Sequence, residues 1–311
     1  MPSASLSNNG LLNPDDLDFR IIREIGGSRP IQWNVRESYS NIARKLGVDE
    51  ETVRMRVNRA RESGFLPELR MMVNPLLINC REANLDLEVE SEERKNEAIS
   101  KIKLVEGVHS IIDFRGKEIV VLIYYEASDS LDNKVQRIET ICGSQRLGLW
   151  DNPFPRPDVE MKKSDWRIIE AMRENPWRDL EEVAKQLGLS TRTVQRRLTA
   201  LKDGRAIYLH RPPNADVVTG LMCNFQIFFS DPGKKRTADY EIHSTFKRMG
   251  ASDTTHALFS IFGISCANFS EADKVTERLK AIDGVERVDM RIIKEIILVQ
   301  DWLRDQIAMR L

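Results

Sequence analysis

A chain of 311 residues is too long for one small domain and suits two to four. At 41% hydrophobic and 31% charged it has a globular composition, which excludes collagen-like, disordered and disulfide-dense classes. The formal net charge of −1 hides a segregation: residues 17–66 carry ten Lys/Arg against seven Asp/Glu, residues 162–207 carry eleven against seven, and the rest is acidic. Cys80, Cys142, Cys223 and Cys266 lie far apart with no Cys-x-x-Cys pair and only four histidines, so no zinc site is expected and the thiols are read as reduced. No signal or transit-like segment stands out, and no apolar run exceeds residues 119–125; the expectation is a cytoplasmic protein without a membrane partner.

In chain order, residues 15–70 read as three helices. Asp18-Phe-Arg-Ile-Ile22 lies on the first, Ile42-Ala-Arg-Lys-Leu-Gly-Val48 carries the second to its terminating Gly47, and Asp49 caps the third. Val53, Val57 and Ala60 give that third helix one apolar face, and Gly64 is placed to close it. Residues 71–150 change rhythm: strands at 85–89, 108–114 and 119–125, helices at 92–105 and 131–141, and a final strand make a ferredoxin-like βαββαβ plan. Residues 151–161, with Pro153-Phe-Pro-Arg-Pro157, read as a stiff linker.

The second half repeats the first. Asp165-Trp-Arg-Ile-Ile169, Val183-Ala-Lys-Gln-Leu-Gly-Leu189 and Thr193-Val194 with Arg197 return the blocks seen at Asp18, Ile42 and Thr52-Val53 with Arg56. The first copy is six residues longer, with the insertion expected within residues 26–38. Residues 162–210 form the second three-helix module, with Ser190 as cap, Val194, Leu198 and Leu201 inward, and Gly204 at the close. Residues 211–311 form the second ferredoxin-like domain, with strands at 222–229, 254–262, 264–269 and 285–299 and helices at 240–249 and 271–282. The fold class is α+β: two winged or plain helix-turn-helix modules, each followed by a βαββαβ domain.

A glycine between two short helices, followed by a capped helix with a basic outer face, is the arrangement that reads a DNA major groove. Outward on the second copy lie Thr191, Arg192, Gln195, Arg196 and Thr199, types that hydrogen-bond base edges or phosphates. The matching residues of the first copy are Glu50, Glu51, Arg54, Met55 and Asn58. Carboxylates repel phosphates, so the first copy is expected to bind more weakly or more narrowly. Arg56, Arg59, Arg61, Lys202 and Arg205 are expected to neutralise phosphates, and Arg197 is counted among the DNA-binding residues. The bland alternative is a solvated basic helix face, with the two glutamates complementing the helix dipole.

These blocks, with the Met72-Val-Asn-Pro75 connection into an α+β domain, resemble the Lrp/AsnC family of prokaryotic regulators. The resemblance implies a duplex-DNA-binding transcription regulator whose two units make a fused dimer, self-associating through its sensor domains. It further implies a small-molecule effector, such as an amino acid, at a glycine turn between the second and third sensor strands. Arg115 and Gly116 in the first copy, and Phe262 and Gly263 in the second, are the candidates; plain hairpin turns are the alternative. A sister group of the same architecture decarboxylates sirohaem through histidine and arginine, which singles out His109 and Arg115 for an enzyme with vestigial helix-turn-helices. A protein-interaction scaffold is the third reading. No Gly-rich phosphate loop, nucleophile–base set or paired metal ligands are present, so neither catalysis nor a cofactor or metal is expected.

Overall fold

The computed structural model describes residues 14–26, 33, 35, 37–66, 69–210 and 220–311. In chain order come α1 (Asp16–Gly26), α2 (Tyr39–Leu46), α3 (Glu50–Glu62) and β1 (Arg70–Val73), then a 3-10 turn at Pro75–Ile78. There follow β2 (Arg81–Glu88), α4 (Lys95–Ile102), β3 (Val108–Phe114), β4 (Glu118–Tyr125), α5 (Ser128–Cys142) and β5 (Arg146–Asn152). The second half holds α6 (Lys163–Met172), α7 (Leu180–Leu187), α8 (Thr191–Asp203), β6 (Ile207–His210), β7 (Leu221–Phe229), α9 (Pro232–Thr245) and β8 (Met249–Asp253). It ends with β9 (Phe259–Cys266), α10 (Phe269–Lys280), β10 (Val285–Leu298) and α11 (Asp301–Ala308). Among the described residues no helix is long and apolar enough to cross a membrane.

The compact units do not follow chain order. One holds Met1–Gln32, Glu37–Glu68 and Pro213–Glu295; the other holds Trp33–Arg36, Leu69–Pro212 and Ile296–Leu311. Each three-helix module therefore shares a unit with the α/β domain of the other half of the chain.

In the first unit, α1 to α3 pack because their apolar residues recur at helical spacing: Phe19, Ile22, Ile42, Val53 and Val57 are all buried. Gly47 takes the left-handed conformation, φ 70°, that ends α2 and lets α3 start three residues on. The insertion expected within 26–38 lies mostly outside the described residues. The α/β domain has strand order β10-β7-β9-β8, all neighbours antiparallel, with α9 and α10 supplying Ala238, Ile242, Val275 and Leu279 to one face. Asp16 of α1 meets Arg248 of this domain at 3.1 Å.

In the second unit the sheet order is β5-β2-β4-β3, the same permutation, with α4 and α5 on one face. Both orders fit the ferredoxin-like plan. The strands that follow the helical modules are not wings of their own modules: β1 pairs antiparallel with β6, Arg70 opposite His210 and Val73 opposite Ile207. The segment expected to be a stiff linker is packed in this unit. Asn74 Nδ2 donates to Pro155 O at 2.9 Å, the Asp158 amide donates to Gly204 O at 2.8 Å, and the Phe154 ring lies 5.5 Å from that of Tyr208. Gly204 closes α8 without a left-handed φ; a Cβ there would come within 2.5 Å of Asp158 O, so the close approach of this segment is what requires glycine.

The second α/β domain departs from expectation along 240–269. α9 starts at Pro232, where Asp231 caps it by accepting from the Gly233 amide at 2.7 Å. The hairpin turn falls between Asp253 and Phe259, not at Gly263, because Asp253 accepts from the amide and hydroxyl of Thr255 and bends the chain there. Beyond the last expected strand, α11 buries Leu303 and Ile307.

Candidate nucleic-acid interface

Helices α3 and α8 are both thirteen residues long and follow three-residue turns opened by left-handed glycines. Asp49 accepts from the Thr52 amide at 2.6 Å, and Ser190 accepts from the Thr193 amide at 3.1 Å, so each begins on a satisfied cap. Val53, Val57 and Ala60 on α3, and Val194, Leu198 and Leu201 on α8, are buried. Each large side chain among them contributes about 1.5 to 3 kcal/mol to holding its helix with one fixed face outward.

A buried carboxylate sets that rotation in each module. Asp165 is fully buried, accepts from the Lys162 amide at 2.7 Å, and receives Arg197 Nε at 2.6 Å. In the first module Asp18, 3% exposed, accepts from Arg56 at 2.9 Å and from Arg59 at 2.7 Å, while Asp15 takes a second bond from Arg56 at 2.7 Å. Burial works to raise the Asp15 carboxyl, but Arg56 together with the backbone amides of Asp18 and Leu17 outweighs it and holds the group below the ordinary aspartate value. The hydrogen bond to Asp165 moves Arg197 the other way, further above the ordinary guanidinium value.

This corrects part of the expected DNA-binding set. Arg56, Arg59 and Arg197 fasten α3 to α1 and α8 to α6, so their charge is compensated inside the protein. Lys202 is half-buried and pairs with Asp203 at 3.3 Å. Thr191, Arg192, Gln195, Arg196 and Thr199 are exposed, and Arg192, Gln195 and Arg196 bond to none of the described residues. On α3, Arg54 is exposed but engaged by Glu50 at 2.6 Å and Glu51 at 3.4 Å. Asn58 and Arg61 are exposed, as is Met55.

The expected effector residues do not form like sites. Arg115 is exposed and Gly116 sits at φ 89° in the β3–β4 turn, as the sequence suggests. Phe262 is fully buried in the core and Gly263 lies within β9 opposite Asn224, so neither belongs to a turn; strand alternation runs straight through the glycine. His109 and Arg115 do not converge either. Six residues of extended chain separate them by roughly 20 Å. His109 is buried, stacked on the Tyr124 ring at 4.0 Å, with Nε2 3.0 Å from Glu82 Oε2. The Tyr124 hydroxyl meets that of Tyr208 at 3.0 Å, and burial pushes both phenols well above the usual tyrosine range, which leaves them neutral. This cluster ties β4 to β6, the strand just after α8. Sequence reading missed it because its members are 84 positions apart. Among the described residues no three His, Cys, Asp or Glu side chains assemble as a metal site.

Residues 161–202, the second helical module, match the AsnC-type helix-turn-helix domain. A helix-turn-helix-type transcriptional regulator of Pyrococcus furiosus is 29% identical over 140 residues, 42% of this chain and 88% of that protein. The regulatory protein AsnC of Escherichia coli is 24% identical over 151 residues, 46% of this chain and 93% of its own length. The fold of almost the whole chain is similar to that of the siroheme decarboxylase NirDL, solved with an iron-uroporphyrin III analogue: TM-score 0.54, 13% identity, 95% of this chain and 99% of that one. At that identity the likeness speaks for the fold alone.

Proposed function

We propose that this chain is a duplex-DNA-binding transcription regulator of the Lrp/AsnC type, without catalytic activity of its own, in which two regulator units are joined in one polypeptide. The observation that carries this reading is the outer face of α8: a capped, buried-backed helix behind a glycine turn, presenting the side chains of Arg192, Gln195 and Arg196 with no partner among the described residues. Arginine and glutamine in that setting pair with guanine and adenine edges in the major groove. The regulator relatives and the AsnC-type match at 161–202 support it. The sirohaem route gains nothing from His109 and Arg115, which lie far apart, with the histidine turned into a closed core.

Because α3 and α8 differ at every outward position, sensor pairing within one chain would set two unlike half-sites side by side, whereas pairing between chains would bring like readers together on a two-fold symmetric site. The direct test is duplex-DNA binding across a salt series. Affinity should fall steeply with salt, the logarithmic slope growing by about 0.9 for each phosphate neutralised. Affinity that is flat between low and physiological salt would contradict the proposal.

A further inference from the structure

In the first α/β domain, Lys95 at the start of α4 is 2% exposed, and its Nζ lies 2.5 Å from Asp113 Oδ1, 2.5 Å from Phe114 O and 2.7 Å from Gly116 O. One carboxylate and two carbonyls thus converge on an ammonium beneath the β3–β4 turn. In the second domain Lys235, 5% exposed, sits at the equivalent helix position, three residues before Ala238 as Lys95 is before Ala98. Its Nζ lies 2.6 Å from Asp239 Oδ2 and 2.9 Å from Thr254 O, which begins the β8–β9 turn. The counter-ion has changed element, from β3 to the helix itself, where Ser260 also donates to Asp239 at 2.7 Å. The ammonium and its turn carbonyl are retained while the acid has moved.

A desolvated ammonium keeps its charge only with oxygen partners for its N–H groups, and an oxygen cluster so arranged is a receptor for any primary amine that fits. We infer that each α/β domain contains a primary-ammonium site at its hairpin turn, filled by the chain's own lysine, so that the turn is held closed without a free amine. The inference does not depend on the DNA-binding reading. The exposed Arg115 then belongs to a turn whose inner carbonyls, those of Phe114 and Gly116, are already occupied.

The test empties the site and refills it. Lys95→Ala removes the side chain beyond Cβ, and n-propylammonium restores Cγ to Nζ as a separate molecule. The variant should unfold about 5 to 10 °C lower than the native chain, because buried Asp113 loses the ammonium it pairs with. Millimolar n-propylammonium should recover much of that loss and slow amide exchange in the β3–β4 turn, whereas n-propanol and tetramethylammonium should not. The native chain should be indifferent to all three. Lys235→Ala carries the same readout in the other domain. Should Lys95→Ala not fold unaided, refolding it with n-propylammonium becomes the readout, and continued failure overturns the inference. So does rescue by n-propanol to the same extent, or an equal gain by the native chain.

Discussion

Helices α3 and α8 share length, cap chemistry, inner face and a buried aspartate–arginine fastening, yet they present different electrical surfaces. On α8 the first outward turn offers Thr191, Arg192, Gln195 and Arg196 to solvent. On α3 the same turn offers Glu50 and Glu51, which close on Arg54 and satisfy it locally. A helix-turn-helix scaffold thus fixes which positions face outward without fixing what they recognise. The inner faces answer to packing, which tolerates little change. The outer faces answer only to solvent or a partner, so they are free to diverge.

The scaffold half of this comparison can be broken first. Asp18→Ala takes a buried carboxylate from Arg59 and from Arg56, which keeps Asp15, and Asp165→Ala takes one from Arg197, so urea denaturation should show a loss of about 3 to 5 kcal/mol for each, larger at Asp18. Equal losses would mean that Arg59 adds nothing to the first module's fastening. For the surface half, Arg192→Ala with Arg196→Ala should weaken binding to a selected DNA site by about 1 to 3 kcal/mol per lost base contact. Arg54→Ala with Asn58→Ala should cost less, and a loss as great would remove the distinction between the helices. The smallest effect sharpens it: Glu50→Gln with Glu51→Gln releases Arg54 and should strengthen DNA binding by about 0.5 to 1 kcal/mol at low salt. A decrease in affinity would show that the glutamates contact bases directly.

Much of the scaffold was legible because it is encoded locally. The caps Asp49 and Ser190, the ends at Gly47 and Gly188, and the buried rows on α3 and α8 each depend on residues within one or two turns of one another. The repeated blocks even contained the fastenings, since Asp18 and Arg56 both recur as Asp165 and Arg197. What they could not say is that the two are partners, because 38 and 32 residues separate them. Basic helix residues therefore read as DNA contacts when three of them are internal.

Local signals also misplaced the β8–β9 turn. Gly263 resembles a turn residue by type, while the Asp253 side chain that bends the strand acts through hydrogen bonds of its own. The start of α9 was present as Asp231-Pro232, a capping signal weaker to the eye than the apolar rhythm further along.

The sequence by itself determined the two helical triplets, the βαββαβ order of each domain and the inequality of the two outer faces, since period, capping and charge are properties of short stretches of chain. Only the tertiary structure decided that each helical module shares a unit with the other half's α/β domain, that β1 pairs with β6, and that Lys95 and Lys235 lie buried under hairpin turns. Those choices depend on which distant surfaces bury each other's apolar groups and satisfy each other's buried charges, and no local pattern records the partner.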